Sequence, residues 1–179
     1  MSIEIDVLNG DASWKQVEPL LDAVWPDHVM EKLPWRDVKW AHADLRVLID
    51  APEESPTPGL ACHVGIFFRT ATWDGRKVDI GGIGGVATRP DCRGHGYATL
   101  ALNAAVQTMR DHEAVRFGLL FCEPHNEAFY QARGWHRFEG EIYAEQPAGR
   151  VRFDAMAPFV FDFTRKPRDG VIDLCGLPW

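Results

Sequence analysis

Two glycine clusters between residues 79 and 102 have the composition of phosphate-binding turns. The first, at residues 82–87 (GIGGVA), fits the G-x-G-x-x-A pattern that binds the pyrophosphate of a dinucleotide. The second, at residues 93–98 (RGHGYA), is typical of a glycine-rich turn that opens a helix. In either cluster the contacts would come from backbone N–H groups, because glycine lets the chain approach a ligand closely. At most one of the two clusters is expected to hold a phosphate, and the two predict different ligands.

The elements around each cluster decide between them. A dinucleotide turn lies between a strand and a helix, but Pro90 disfavours helix directly after the first cluster. We therefore predict a strand over residues 76–88, in which the glycines mark a bulge or a close approach of another backbone or ligand. The second cluster precedes a helical pattern, so its free N–H groups and the helix dipole predict an anion site. Taken alone, it would more often be an ordinary loop-to-helix turn.

The remaining elements predict a mixed sheet. Alternation and apolar runs predict strands or extended segments over residues 3–8, 44–50, 60–73, 76–88, 115–123, 135–145 and, interrupted by Pro158, 152–164. Helical spacing predicts helices over residues 11–25 with Asp11 as N-cap, over short pieces broken by Pro26 and Pro34, and over residues 94–111 and 126–134. Asp74-Gly75 is a strong hairpin signal, residues 51–59 predict a loop, and residues 165–179 look irregular. The fold class is α/β (α+β), in one domain over residues 1–179.

The second cluster and a later motif together resemble the GNAT N-acetyltransferase superfamily. Residues 91–96 (DCRGHG) fill its Q/R-x-x-G-x-G/A pyrophosphate motif, with Asp91 where Gln or Arg is usual. Its second motif, N-x-x-x-Y-x-x-x-G-W/F, is filled by Asn126, Tyr130, Gly134 and Trp135. The resemblance covers about residues 60–138. It implies a GNAT fold, whose central and mostly antiparallel sheet splays apart at a parallel pair of strands.

The resemblance also implies acetyl-CoA as acyl donor, bound between the splayed strands. No metal is expected, because Cys122 and His125 have no two further candidate ligands nearby. Amides of the bulged strand would bind the pantetheine arm, and the second glycine cluster would bind the pyrophosphate. Tyr130 would lie near the thioester sulfur, where its phenol could protonate the departing thiolate; otherwise it is a core aromatic residue. The cofactor-binding residues implied in this way are Val86, Ala87, Thr88, Arg93, Gly94, His95, Gly96, Tyr97, Ala98, Asn126 and Tyr130.

The general base is not evident from the motifs. An ammonium group must lose a proton before it attacks the thioester, and many GNAT relatives carry a glutamate on the bulged strand for this step. Residues 81–85 (GGIGG) offer no carboxylate. The candidates are Glu123, His125, Asp79 and His63, with Glu123 first because the resemblance places its strand end beside the acetyl group. Water alone, or an amine that arrives neutral, is the alternative.

The acceptor is expected to be the primary amine of a small, cationic molecule. A net charge of −7 favours a cationic partner and argues weakly against nucleic acid. We expect the loop at residues 51–59 and the tryptophans of the N-terminal helices to form one wall of the acceptor cleft. These tryptophans are Trp14, Trp25, Trp35 and Trp40.

Two subgroups of the superfamily bear a weaker likeness. The tail VIDLCGLPW resembles that of aminoglycoside 2′-N-acetyltransferases, in which it folds back towards the acceptor, so that the Trp179 carboxylate would meet the amine. Gly84 and Leu177 replace acidic residues of that group, which makes an aminoglycoside a less favoured acceptor. Residues 86–91 faintly resemble nodulation N-acyltransferases, which use longer acyl donors.

The sequence offers two alternatives to an N-acetyltransferase. A GNAT-fold sensor or interaction module that binds acyl-CoA without turnover is the alternative, because the strand glutamate is missing. A nicotinamide-dependent oxidoreductase needs a helix near Val86, which Pro90 disfavours.

No apolar run reaches the ~20 residues of a membrane helix, the N-terminus does not resemble a signal peptide, and the four cysteines show no C-x-x-C pair. We therefore expect a cytoplasmic protein without membrane contact, in a superfamily where homodimers are common.

Overall fold

The computed structural model describes residues 3–179 and folds them around one mixed sheet. Its strands are β1 (Ile5–Asn9), β2 (Leu45–Asp50), β3 (Leu60–Trp73), β4 (Arg76–Thr88), β5 (Phe117–Cys122), β6 (His136–Arg137), β7 (Glu141–Gln146), β8 (Gly149–Arg152), β9 (Ala157–Asp162) and β10 (Val171–Asp173). Its helices are α1 (Trp14–Val24), α2 (Asp27–Met30), α3 (Tyr97–Asp111) and α4 (Glu127–Gln131), with 3₁₀ turns at Pro90–Cys92 and Pro124–Asn126.

The strand order is β6-β9-β5-β4-β3-β10-β7-β8, and β2 joins the first half of β3 to β1. All neighbouring pairs are antiparallel except β4–β5 and β7–β10, which are parallel. This arrangement confirms the predicted mixed sheet, mostly antiparallel, with a parallel pair at its centre. It also places β4 between an antiparallel neighbour and a parallel one, so that the two ladders of β4 can end at different points.

The β3–β4 hairpin follows its sequence signals closely. Its strands have the predicted bounds, and Trp73 pairs with Arg76 across a two-residue turn. Asp74 and Gly75 both have positive φ angles, 49° and 77°, which suit the right-handed twist of the strands they connect. The hairpin supplies the scaffold on which the central part of the sheet is built.

The parallel pair opens after a short ladder. The strands β4 and β5 pair only from Ile80 with Phe117 to Ile83 with Leu120. Beyond that point β4 carries a bulge, where Gly85 and Val86 stand opposite the single β3 residue Val64. Gly85 adopts a φ of 58°, which a residue with a Cβ atom rarely tolerates. The bulge bends β4 away from β5, and both the predicted bulge and the predicted splay are confirmed.

The two faces of β4 are covered by different elements. A Cβ atom at Gly81 would collide with the Met109 side chain of α3, whereas one at Gly82 would collide with the Trp179 indole. Alternate strand residues face opposite sides of a sheet, so helix α3 covers one face and the chain's last residues cover the other. Gly81 therefore leaves room for a helix side chain, and Gly82 in the first cluster leaves room for a tryptophan ring rather than for a dinucleotide.

Several predicted boundaries were wrong in detail. Helix α1 begins at Trp14 with Ser13, not Asp11, as N-cap, and the Ser13 hydroxyl donates to the Asn9 carbonyl oxygen. Helix α3 begins at Tyr97 rather than at residue 94, because Gly94 and Gly96 adopt positive φ angles. The tail expected to be irregular contains β10, which pairs with the end of β3 that β2 leaves uncovered. No helix within residues 3–179 has the length and apolar character to span a membrane.

Candidate active site

The gap between β4 and β5 opens into a cleft of about 500 Å³. The lining of this cleft comes from the bulge of β4, the end of β5, the start of α4, helices α1 and α2, and the segment before β2. Four residues assigned to the site from the sequence line this cleft: Val86, Glu123, Asn126 and Tyr130. Val86 is part of the bulge, and the other three lie on the segment from the end of β5 into α4, so the splay brings these residues together.

The second glycine cluster lies outside the cleft lining, at the exposed start of α3. None of the backbone N–H groups from Gly94 to Thr99 donates a hydrogen bond to another group within residues 3–179. Gly94 and Gly96 have φ angles of 81° and 79°, and a Cβ atom at either would meet nothing within 4 Å. The turn therefore presents free donors to open space, at the positive end of a helix dipole, which fits a pyrophosphate.

Asp91, the departure from the usual motif, has a local partner. The Arg89 guanidinium donates to both of its carboxylate oxygens, and this bond lowers the pKa of Asp91. Arg89 also donates to the carbonyl oxygens of Pro58 and Thr57, so that it ties the loop at residues 51–59 to the turn before α3. That loop does not line the cleft, contrary to the prediction that it forms part of the acceptor wall.

Tyr130 presents a protonated phenol to the cleft. The residue is 6% exposed, with its ring packed edge-on against Phe129 and Trp135. Burial raises the pKa of the Tyr130 phenol, and the neighbouring Cys122 adds to the shift. Burial likewise raises the pKa of the Cys122 thiol to about 12. Both groups keep their protons at neutral pH, so Tyr130 is suited to donate a proton and Cys122 is not suited to act as a nucleophile.

The four candidate bases lie in different surroundings. Glu123 lines the cleft, and 22% of its side chain is exposed. His125 Nε2 lies 3.9 Å from a Glu123 carboxylate oxygen, but its ring is mostly exposed and does not line the cleft. Asp79 accepts a hydrogen bond from the Thr70 hydroxyl near the far end of the β3–β4 hairpin, outside the cleft lining. Among these three, only the Glu123 carboxylate reaches the cleft.

The fourth candidate, His63, is 1% exposed and has both ring nitrogens engaged. Its Nε2 lies 3.0 Å from Nη1 of Arg46, and its Nδ1 lies 2.7 Å from the Gly85 carbonyl oxygen. A guanidinium can only donate and a carbonyl can only accept, so Nε2 carries the lone pair and Nδ1 carries the proton. Burial lowers the pKa of His63 to about 4. Its lone pair is occupied by Arg46, which removes His63 as a general base; Arg46 itself was missed by the sequence analysis.

The four N-terminal tryptophans form an aromatic wall along the cleft, as predicted: Trp14, Trp25, Trp35 and Trp40. Trp35 meets the rings of Trp25 and Trp40 edge-on, at centroid distances of 5.8 and 5.7 Å. The carboxylates of Asp22 and Asp27 lie beside these rings and also line the cleft. Aromatic faces and carboxylates both attract cations, so the wall suits a cationic ligand.

The tail folds back onto the cleft, a question that its resemblance to the aminoglycoside 2′-N-acetyltransferase tail had raised and left open. The Trp179 ring stacks on Phe67 at a centroid distance of 5.6 Å, and its indole nitrogen donates to the Leu119 carbonyl oxygen at 3.0 Å. The Arg69 guanidinium also contacts this tryptophan, with its Cζ atom 5.1 Å from the Trp179 ring centroid. The side chain of Trp179 therefore forms part of the cleft lining. In the part of the chain that the structure describes, no group of three or more His, Cys, Asp or Glu residues could hold a metal ion.

Comparison with known sequences gives a consistent picture. A family model described as an acetyltransferase (GNAT) domain matches residues 8–138. An aminoglycoside 2′-N-acetyltransferase of Mycolicibacterium fortuitum is 31% identical over 93 residues, which cover 52% of this chain and 47% of that relative. The matched region thus spans about half the length of this curated relative.

Solved structures show the same fold at low identity. A GNAT family N-acetyltransferase from Escherichia coli, YhbS in complex with CoA, superposes with a TM-score of 0.62 at 14% identity, over 97% of this chain and 89% of that chain. A GNAT family acetyltransferase from Brucella melitensis in complex with acetyl-CoA gives a TM-score of 0.57 at 11% identity, over 94% of each chain.

Acidification is expected to destabilise the protein through His63. The pKa of His63 is about 4 in the folded protein, whereas the same ring in the unfolded chain has its ordinary pKa of 6.5. The contribution of His63 to the free energy of unfolding is therefore complete above pH 6.5 and falls as the pH drops towards 4, by about 2.5 kcal/mol at pH 4.5. Urea unfolding at pH 7 and pH 4.5 measures this loss.

The matched control is His63→Asn, which removes the titrating group and leaves every carboxylate in place. Its loss of stability between the two pH values should be smaller than that of the wild type by about the same amount. Equal losses in both proteins would contradict the assignment of a buried neutral imidazole.

Proposed function

The chain belongs to the GNAT acetyltransferase family, and from that premise we propose that it is an acetyl-CoA-dependent N-acetyltransferase that acts on the primary amine of a small, cationic acceptor. One observation carries the proposal. The splay of β4 and β5 opens the cleft that contains Tyr130 and Glu123, and the same strand β4 leads directly into the turn whose backbone N–H groups are free.

Backbone groups would form most of the donor site. The turn at residues 93–96 and the start of α3 offer successive N–H donors in open space, as the pyrophosphate of acetyl-CoA requires. The bulged end of β4 leads from this turn into the cleft, so the pantetheine arm would lie along Val86, Ala87 and Thr88. Asn126 faces this path from the start of α4 and would contact the donor.

The chemistry is assigned to two side chains. The amine nitrogen forms a bond to the carbonyl carbon of the thioester, the carbon–sulfur bond breaks, and its electron pair goes to sulfur. Tyr130 would give its proton to that sulfur, because burial keeps the phenol protonated within the cleft. Glu123 would take the proton of the ammonium group before attack, directly or through water. The proton that the nitrogen releases after attack would return to the Tyr130 oxygen, directly or through water.

The acceptor site is argued from charge and aromatic surface. The aromatic wall and the side chains of Asp22 and Asp27 line the same cleft as Tyr130. An ammonium group on an acceptor would find ring faces and negative charge there. The match to an aminoglycoside 2′-N-acetyltransferase supports a cationic acceptor, although Gly84 and Leu177 stand where that group was expected to carry acidic residues.

The donor site is tested by calorimetric titration with acetyl-CoA, with NADH as the control ligand. We expect micromolar affinity for acetyl-CoA and none for NADH. In the double variant Gly94→Ala/Gly96→Ala the affinity should fall at least about tenfold, because each Cβ atom strains a positive φ and occupies the ligand's space. Gly75→Ala strains the similar φ of 77° in an equally open turn at the far end of the hairpin and should bind normally. Equal affinities in the two glycine variants would remove the pyrophosphate site.

The role of Tyr130 is tested by Tyr130→Phe. Since proton transfer by a positioned side chain contributes about a hundredfold or more, kcat for CoA release should fall by about that factor while acetyl-CoA affinity stays within about twofold. Tyr143→Phe is the control, because that hydroxyl donates to Glu141 and does not line the cleft. An unchanged kcat in Tyr130→Phe would exclude the phenol as the acid.

The acceptor class is tested by a screen for CoA release. Amines that carry a second cationic group should react faster than neutral-bodied amines of the same size. In Asp22→Asn/Asp27→Asn, KM for the best amine should rise about fivefold or more, because two carboxylates near the cation are lost. Asp37→Asn, a 91% exposed carboxylate outside the cleft, should leave KM unchanged. Tight acetyl-CoA binding without turnover of any amine would favour the acyl-CoA sensor instead.

A further inference from the structure

The bulge of β4 lacks the hydrogen bonds that hold the rest of the strand. Gly84 pairs with Gly65 and Ala87 pairs with His63, while the β4–β5 ladder has already ended at Ile83. Within residues 3–179, Gly85 and Val86 therefore have no strand partner on either side. The peptide that joins them needs another contact to hold its orientation, since an unpaired peptide group can rotate about its neighbouring bonds.

His63 supplies that contact. Its Nδ1–H donates to the Gly85 carbonyl oxygen at 2.7 Å. The ring also lies directly under the bulge, because a Cβ atom at Gly85 would come within 3.2 Å of His63 Cε1. A side chain at position 85 would thus both strain the φ of 58° and press on the ring. The imidazole and the bulge fit one another, and the Gly85 carbonyl is held towards the His63 ring.

Fixing this carbonyl fixes the direction of the next N–H group. A peptide unit is planar and trans, so the N–H of Val86 points opposite to the C=O of Gly85. The carbonyl points to the His63 ring. The Val86 N–H is therefore directed away from that ring, and Val86 itself lines the cleft.

Arg46 sets the proton position on which this depends. Its Nη1 donates to His63 Nε2, which forces the ring proton onto Nδ1. The guanidinium is itself held in place, since Nε donates to the Gly10 carbonyl oxygen at 3.0 Å and the Trp14 ring lies over it at 5.1 Å. Arg46 is 5% exposed, so water does not compete freely for these bonds. A chain of contacts runs from Gly10 through Arg46 and His63 to the bulge.

We propose that His63 is a positioning residue for acyl transfer: by holding the Gly85 carbonyl, it aims the Val86 N–H at the carbonyl oxygen of the thioester. The inference rests on the proposed function. As the amine bonds to the carbonyl carbon, negative charge develops on that oxygen. When the C=O double bond re-forms, the carbon–sulfur bond breaks and the charge leaves on sulfur. A fixed N–H donor stabilises the charge most at its peak. The effect of His63 should therefore appear in kcat more than in donor affinity.

Two substitutions separate this role from simple packing. The amide nitrogen of His63→Asn lies near the position of Nδ1 and can still donate to Gly85. The amide of His63→Gln lies near the position of Nε2, so it keeps a partner for Arg46 but loses the bond to the bulge. We expect His63→Gln to lower kcat by about tenfold to a hundredfold with little change in acetyl-CoA affinity, and His63→Asn to retain most of the wild-type kcat.

The relative kcat values of the two variants decide between the positioning role and simple packing. A merely structural role predicts that kcat follows the free energy of unfolding of each variant, which urea unfolding measures alongside. If His63→Gln keeps the wild-type kcat, or if His63→Asn loses as much as His63→Gln, the positioning role is wrong. A wild-type protein that neither binds acetyl-CoA nor releases CoA would overturn the proposed function as well, which distinguishes the two failures.

Nuclear magnetic resonance of the wild-type protein provides a test that needs no variant. The ¹⁵N shifts of His63 should show a protonated Nδ1 and an unprotonated Nε2. The Val86 amide proton should move downfield when acetyl-CoA is added without acceptor, because it gains an oxygen partner. The opposite tautomer, or a Val86 amide that does not respond to bound acetyl-CoA, would overturn the inference.

Discussion

Backbone N–H and C=O groups that leave a sheet need new partners, and β4 leaves its ladder with β5 after Ile83. The rest of the site depends on how this separation is accommodated. The bulge at Gly85 and Val86 turns β4 away from β5. His63 donates a hydrogen bond to the Gly85 carbonyl oxygen, which has no strand partner, and the cleft occupies the gap that results. The turn at residues 93–96 continues the same strand, so its free N–H groups lie at the outer end of this opening.

The separation is possible because β4 is supported on both faces. Met109 of α3 fills the space beside Gly81, and the Trp179 indole fills the space beside Gly82. Trp179 in turn is anchored by its bond to the Leu119 carbonyl oxygen and by Phe67. The glycines of β4 would otherwise weaken the strand, because they lose much backbone entropy on folding and have no side chains to pack. Large side chains from distant parts of the chain therefore replace the packing that β4 lacks.

Electrostatics divides the cleft into two parts. Near the bulge, burial keeps His63 neutral and keeps Tyr130 and Cys122 protonated, so these groups offer protons and hydrogen bonds rather than charge. The carboxylates of Asp22 and Asp27 are exposed beside the aromatic wall. This arrangement suits an acceptor whose cationic part stays at the wall while its reacting amine enters the less polar end.

Local pattern in the sequence was sufficient for the central elements. The bounds of the β3–β4 hairpin, the strand character of the first glycine cluster and the helix after the second follow from alternation, turn residues and Pro90, all of which act between near neighbours. The two GNAT motifs likewise identified the family, because they are short segments with fixed spacing. Of the residues that line the cleft, Tyr130 and Asn126 were named from the second motif and Glu123 from its place at the end of a predicted strand.

Contacts between distant segments were decided only by the tertiary structure. Nothing near Gly82 in the chain indicates that Trp179 will lie on it, nothing near His63 indicates Arg46 and Gly85 as its partners, and β10 pairs with strands far from it in sequence. Such contacts depend on the path of the whole chain, because a buried polar group or ring is satisfied by whatever the fold brings to it. The sequence determined the family and the glycine-rich turn that opens α3, because both depend on near neighbours; the tertiary structure determined what covers β4 and what contacts its bulge.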